Sequence, residues 1–221
     1  MSAATDAAPS APGFELASVT PAAWAEAVAR DLPALLSDHA HLELKAAASA
    51  MALLRRHGRQ LELASRVVPL IREEFEHLQR VLAELRRRGA DWAPDRGSPY
   101  ASGLLAAAGR PRRRIDGYVD SLLVAALIER RSHERFEALL ACARPELAEL
   151  RPLYAALAEA EARHGALFVE LACAAAPPDA VATRWRQLAA AEAELIAHLP
   201  CEPRIHGGPP RAALSASRRP S

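Results

Sequence analysis

The chain has 221 residues and a net charge of +1; 51% of it is hydrophobic but only 5% aromatic. That length buries one real core, and the near-neutral balance excludes a generally polybasic nucleic-acid binder while leaving room for a local basic patch. Cys142, Cys173 and Cys201 lie far apart and form no Cys-x-x-Cys, so neither a disulfide framework nor a cysteine zinc site is expected, and a reducing cytoplasm fits.

Residues 1–20 are rich in Ala, Pro and Ser and read as a disordered tail. They hold no basic stretch followed by an apolar core, so they are no secretory signal. Thr20-Pro21 supplies a cap and first position for a short helix reaching residue 30. A long helix is expected over 33–57, ended by Gly58, and a second over 61–88, stopped by Gly89 and kinked at Pro69. A loop covers 89–100 and a short helix 101–108. Two more long helices follow at 112–143 and 146–175, the latter bent at Pro152, and a last one at 179–199. From Pro200 onward the Pro, Gly, Ser and Arg content predicts a disordered tail. The domain is therefore expected over 21–199. The longest apolar runs are far shorter than a bilayer crossing, so no membrane association is expected.

Two Glu-x-x-His pairs, Glu74/His77 and Glu161/His164, each follow a glutamate one helix earlier. Those are Glu43 and Glu129, 31 and 32 residues upstream. Spacing i, i+3 sets Glu and His side by side on one helical face. Apolar neighbours surround each of them: Ala40 and Ala47 about Glu43, Leu70 and Leu78 about Glu74, Ala125 and Ala126 before Glu129, Leu157 and Phe168 about Glu161. These are core-facing stripes. A lone buried glutamate costs several kcal/mol, on the order of its desolvation penalty, so four in one domain call for cations. One Glu-x-x-His is a weak signal, but two hairpins repeating it form the pattern by which four-helix bundles hold two carboxylate-bridged metal ions. The fold expected is all-α, a ferritin-like four-helix bundle with additional short N-terminal and C-terminal helices. His39, His41 and His133 are lesser candidates, His133 as an outer partner of a ligand. Glu73 and Glu76 read as solvated, and Tyr154 as packing.

The segments LLSDHAHLELKAAASA (35–50), PLIREEFEHLQRVL (69–82), ALIERRSHERFEALL (126–140) and LYAALAEAEARHGALFVELA (153–172) resemble the tRNA 2-methylthio-isopentenyl-adenosine hydroxylases (MiaE). The resemblance covers about residues 20–200. It implies a non-haem di-iron site on Glu43, Glu74, His77, Glu129, Glu161 and His164. The Glu-x-x-His glutamates would bridge and one histidine would serve each iron. The implied reaction is O2-dependent hydroxylation of the isopentenyl group of the modified adenosine next to the anticodon of tRNA.

Such a reaction needs two electrons from outside, and the cysteines offer no rubredoxin-like centre, so an external electron donor, a reductase or ferredoxin, is the expected partner. Arg55-Arg56-His57, Arg86-Arg87-Arg88 and Arg110 with Arg112-Arg113-Arg114 are candidate phosphate contacts; they are equally ordinary helix-end arginines. Arg218-Arg219 reads as solvated tail, and Trp92 or Tyr100 as a platform for a flipped base. The alternatives are a ferritin-like iron-storage or peroxide-scavenging protein, and a helical interaction module without metal. A monomer or dimer is expected for the hydroxylase, a closed shell for storage.

Overall fold

The structure, a computed structural model, describes residues 13–57, 61–109 and 114–210. Seven α-helices follow in order among them: α1 (Ala22–Val28), α2 (Leu32–His57), α3 (Leu61–Arg87), α4 (Pro99–Ala108), α5 (Arg114–Ala141), α6 (Arg151–Ala175) and α7 (Pro178–His198). A 3-10 turn, Pro145–Leu150, precedes α6. No strand occurs among the described residues. Helix α2 packs chiefly on α3, and α5 on α6, giving two hairpins that form the bundle; α4 and α7 pack together outside it.

Local chemistry accounts for the boundaries. Gly89 takes φ +63° just beyond α3, as the left-handed end of a helix requires. Ser98 caps α4 by accepting the Ala101 N–H at 3.2 Å, with Pro99 at the first position. Pro69 sits inside an unbroken α3. Pro152, expected as a bend, instead occupies the opening turn of α6, because the chain before it is 3-10 rather than α. Thr20 does not cap α1, whose N-cap is Pro21. Its hydroxyl and amide both bond Glu134 instead. The expected stop at Gly58 lies outside the described residues.

The apolar interior is divided in two. One core gathers Leu53, Val67, Leu70, Leu122, Leu127 and Phe168. The other gathers Leu36, Ala40, Leu78, Val81, Phe136 and Leu157. In each long helix the polar residues singled out above fall between the residues given to the two cores, so one polar layer crosses the middle of the bundle.

The segments flanking the expected domain pack onto it. Phe14 meets Trp185 edge-on at 5.6 Å, and Trp185 Nε1 donates to the Glu15 carbonyl at 2.9 Å. At the other end, residues 200–210 were expected to be disordered, yet Ile205 is fully buried and its N–H donates to Asp38 Oδ2 at 3.0 Å. Gly208 makes this possible: a Cβ there would fall 1.8 Å from the Leu199 carbonyl oxygen, so only glycine lets the chain double back so closely.

A buried ion pair ties the outer helices down. Arg131 on α5 meets Glu192 on α7 through two bonds of 2.8 Å, Nε to Oε1 and NH2 to Oε2, and Tyr100 of α4 donates to Glu192 at 3.0 Å. This bidentate geometry, with a further donor, satisfies charges that burial would otherwise penalise.

Candidate metal centre

Four helices send six side chains into the polar layer: Glu43 from α2, Glu74 and His77 from α3, Glu129 from α5, and Glu161 and His164 from α6. None is more than 5% exposed. They form two overlapping groups. Glu43, Glu74, His77 and Glu161 each offer a donor atom within 4.8 Å of the others, as do Glu74, Glu129, Glu161 and His164. Glu74 and Glu161 belong to both groups and are therefore placed to bridge. Glu43 with His77, and Glu129 with His164, are placed as terminal pairs.

Four acids facing two imidazoles crowd negative charge into a buried layer, which shifts the proton affinities of the group. Burial, with Glu74 and Glu43 nearby, pushes Glu129 up to about 7. Burial and then the neighbouring Glu129 push Glu161 well above the usual carboxylate range. Burial works against Glu43 too, but contacts with His39 and His77 outweigh it and hold its carboxyl below the ordinary value. Burial opposes charge on His77, yet Glu43 and Glu74 raise it to about 9. Acids crowded into one buried layer beside imidazoles that hold their protons form a donor set whose charge a cation would balance.

Both oxygens of Glu74, and Nδ1 of His77 and of His164, are buried without a hydrogen-bond partner. His164 Nδ1 lies 2.9 Å from Glu74 Oε1, and His77 Nδ1 3.5 Å from Glu74 Oε2. These pairs are close but not in hydrogen-bonding alignment, as atoms directed at a shared cation are. Carboxylate oxygens with imidazole nitrogens suit iron or manganese. The residues fit two iron ions.

Two outer contacts escape the hairpin repeat. His39 Nε2 lies 2.6 Å from Glu43 Oε1, and its ring stacks on Tyr154 at 5.8 Å and against Phe136 at 5.0 Å. The i, i+4 spacing of His39 and Glu43 was a visible signal for this pairing. Glu73, read as solvated, instead lies 3.1 Å from His164 Nε2 and 2.9 Å from Arg163. Glu76 does remain at the surface, near Arg72. His133 bonds the Ala158 carbonyl at 2.9 Å, linking α5 to α6. His41 bonds the Ala93 carbonyl and stacks on Trp92 at 4.7 Å. Tyr154 is fully buried, its hydroxyl without a partner, which suits packing.

A cavity of about 280 Å³ reaches the cluster between α2 and α5, beneath α4. Glu43, Glu74, Glu129 and Glu161 line it, followed by Ala46, Ala50, Leu53, Val124, Ala125 and Ile128. Its exposed lining residues, Ser49, Arg56 and Leu105, all lie on the Arg56 side of Glu43 and mark where it reaches the surface. A second depression of about 350 Å³ shares Arg56, Leu105, Ser121 and Val124 and adds His57 and Tyr118, extending the mouth outward. Tyr100, expected as a surface platform, is instead buried in the cavity wall, because its hydroxyl is committed to Glu192. Trp92 is partly exposed. Of the arginine clusters, Arg87 and Arg88 pair with Glu84 and Glu149, so that cluster is largely neutralised locally. Arg110, Arg112, Arg113, Arg218 and Arg219 lie outside the described residues.

A helical bundle with four inward glutamates and two Glu-x-x-His histidines defines the ferritin-like class of di-iron carboxylate proteins. In agreement, the chain superposes on a solved structure titled protein 43 with aldehyde deformylating oxygenase activity, from Synechococcus, with a TM-score of 0.81 and 34% identity over 88% of this chain and 96% of that one. Residues 13–207 match the family described as tRNA-(MS[2]IO[6]A)-hydroxylase (MiaE), and the chain belongs to that family. It is 39% identical to the tRNA 2-(methylsulfanyl)-N(6)-isopentenyladenosine(37) hydroxylase of Pseudomonas putida, over 87% of this chain and 92% of the relative. The enzyme of the same name from Salmonella typhimurium is 32% identical, with 87% of each chain covered.

Proposed function

We propose that this protein hydroxylates the isopentenyl group of 2-methylthio-N6-isopentenyladenosine next to the anticodon in tRNA. It does so as an O2-dependent non-haem di-iron monooxygenase. Beyond family membership, one observation carries the reading: an apolar passage leads from a surface mouth directly onto the buried carboxylates. A storage or peroxide-scavenging protein needs only ions or small molecules to reach its metal. A passage lined by Leu53, Val124, Ala125 and Ile128 matches a branched hydrocarbon.

Glu43, Glu74, His77, Glu129, Glu161 and His164 would hold two irons, with Glu74 and Glu161 shared. When bound, the irons supply the redox chemistry that cleaves O2 and attacks an unactivated C–H bond, which no side chain achieves. The balance is R–CH3 + O2 + 2 e⁻ + 2 H⁺ giving R–CH2OH + H2O. The chain's own contribution is steric and electrostatic. The alkyl walls orient the prenyl tip toward the carboxylates and exclude bulk water. His39 holds Glu43, and Glu73 holds His164, so both ligands keep their orientation. The two electrons come from a separate reductase or ferredoxin. At the mouth, Arg56 is placed to meet tRNA phosphate. No helix among the described residues is long and apolar enough to cross a membrane, and we place the enzyme in the cytoplasm with its substrate, as a monomer or dimer.

Nucleoside mass spectrometry tests this. Bulk tRNA bearing the prenylated base, incubated with iron-loaded protein, reductant and O2, should gain the mass of one oxygen in that nucleoside. Confirmed iron with no such gain overturns the substrate assignment.

A further inference from the structure

The cavity does not end at the carboxylates. Along α5 its lining runs Ser121, Val124, Ile128, Glu129 and then Ser132, and eleven residues of helix span about 16 Å. Along α2 it runs from Arg56 through Ala50 to Glu43 and then His39. The mouth is thus at one end, the alkyl stretch follows, and the metal-binding acids come next. Beyond them is a second polar zone, buried and unused by the chemistry above.

Its core is Ser132 and His206, 7% and 6% exposed, with Oγ and Nε2 3.2 Å apart. His206 is rigidly presented. Its ring stacks on Tyr100 at 4.3 Å. On one side the Ile205 N–H is bound to Asp38, and on the other Arg135 donates to the Gly207 carbonyl at 3.0 Å. Burial, then Arg135 and Arg131, keep the imidazole uncharged, so one ring nitrogen donates and the other accepts. Ser132 adds a rotating hydroxyl on the same face as Glu129, one turn further on.

Resting on the substrate reading above, we propose that Ser132 and His206 form a hydroxyl-binding subsite that receives the newly formed CH2–OH of the prenyl group. A prenyl tip arriving from the mouth meets the carboxylates first. Beyond them the next polar side chain of the α5 lining is Ser132, paired with His206, while His39 on α2 already has its Nε2 against Glu43. Before oxidation, a methyl group there offers them no hydrogen bond. After oxidation, the hydroxyl both donates and accepts. One added hydrogen bond in a buried site corresponds to about ten-fold in affinity. The pair therefore favours product over substrate and selects the terminal methyl that lies on its side.

The test is equilibrium binding of two anticodon stem-loop RNAs, one carrying the prenylated and one the hydroxylated adenosine, to iron-loaded protein without reductant, so that no turnover occurs. Wild type should bind the hydroxylated RNA about ten-fold more tightly. Ser132→Ala and His206→Phe should bind both RNAs alike at unchanged iron content, and Ser132→Thr should restore the preference. If His206→Phe does not fold, Ser132→Ala decides. Equal wild-type affinities, or a preference that survives Ser132→Ala, overturns the subsite. Failure of wild type to bind either RNA overturns the substrate reading itself, and the subsite with it.

Discussion

Glu73 Oε2 lies 3.1 Å from Nε2 of His164, an interaction from α3 to α6 that the other half of the bundle does not mirror. In the hairpin repeat Glu73 precedes Glu74, whereas Ala160 precedes Glu161 and has no carboxylate to offer His77. With Nε2–H donating to Glu73, the Nδ1 lone pair of His164 is left for a metal, and the carboxylate strengthens its basicity. The two halves of the centre are thus chemically unequal. Glu73→Ala should weaken metal binding at the His164 side by about 10–100-fold and leave the His77 side intact. Two-step iron titration followed optically checks this; a single unchanged affinity for both ions would contradict it.

Sharing of Glu74 and Glu161 between both donor groups separates ligand variants into two kinds. Glu161→Ala should empty the centre of both ions, since each loses a ligand. Glu129→Ala removes a terminal donor and should retain about one iron per chain of the two expected. Elemental analysis of the purified variants distinguishes them, and equal loss in both would refute the bridging assignment.

The six inward residues were readable because helical periodicity alone places Glu and His within apolar stripes, and the hairpin repeat made coincidence untenable. What periodicity cannot report is which exposed-looking charge lies opposite a partner from a distant helix. Glu73 looked solvated on its own helix, and only the α3–α6 juxtaposition gives it His164. Arg131 follows Arg130 without distinction, yet it alone meets Glu192, 61 residues away. Residues 200–210 carry the composition of a tail, but Gly208 uses its missing side chain for a close approach rather than for freedom. His206, carried by that segment, was accordingly invisible as part of the cavity.

Protons and metal compete in the centre, so stability should depend on pH with a definite sign. His77 is raised from 6.5 to about 9 and Glu129 from 4.5 to about 7. For a group whose folded value is raised, the stabilising contribution is complete below the unfolded value and is lost as pH climbs through the folded one. Metal-free protein should therefore lose thermal stability between about pH 5 and 9. Glu43, depressed on folding, acts oppositely: its contribution is present above its unfolded value of 4.5 and is lost on acidification below it. Iron loading displaces the protons, so the gap in Tm between loaded and chelated protein should widen as pH rises. Calorimetry of both forms across this range checks it; a constant gap would count against a proton-linked centre.

Glu192 is fully buried and accepts from both Arg131 and Tyr100. Glu192→Ala would remove the bidentate partner of the buried Arg131 guanidinium, leaving it Glu134 at 2.9 Å from NH1 as its remaining carboxylate, and should cost about 3 kcal/mol. Tyr100→Phe removes one neutral donor and should cost about 1 kcal/mol. Urea unfolding at fixed pH measures both. Nearly equal losses would mean that the guanidinium relaxes toward Ser18, which already accepts from it at 3.0 Å.

Arg56 stands at the mouth shared by the cavity and the outer depression, exposed and at the C-terminal end of α2. If it meets a tRNA phosphate, Arg56→Ala should weaken binding of prenylated and unmodified anticodon stem-loops alike. It should also reduce the slope of log affinity against log salt by about 1. Iron content should not change, because Arg56 lies along α2 thirteen residues, about 20 Å of helix, from Glu43. Arg87→Ala is the contrasting control: that guanidinium is already engaged by Glu84 and Glu149, so its loss should leave the salt slope as it was. Should Arg87→Ala lower the slope while Arg56→Ala does not, the RNA approaches the bundle from the opposite end, and the cavity mouth assigned here is not where the nucleoside enters.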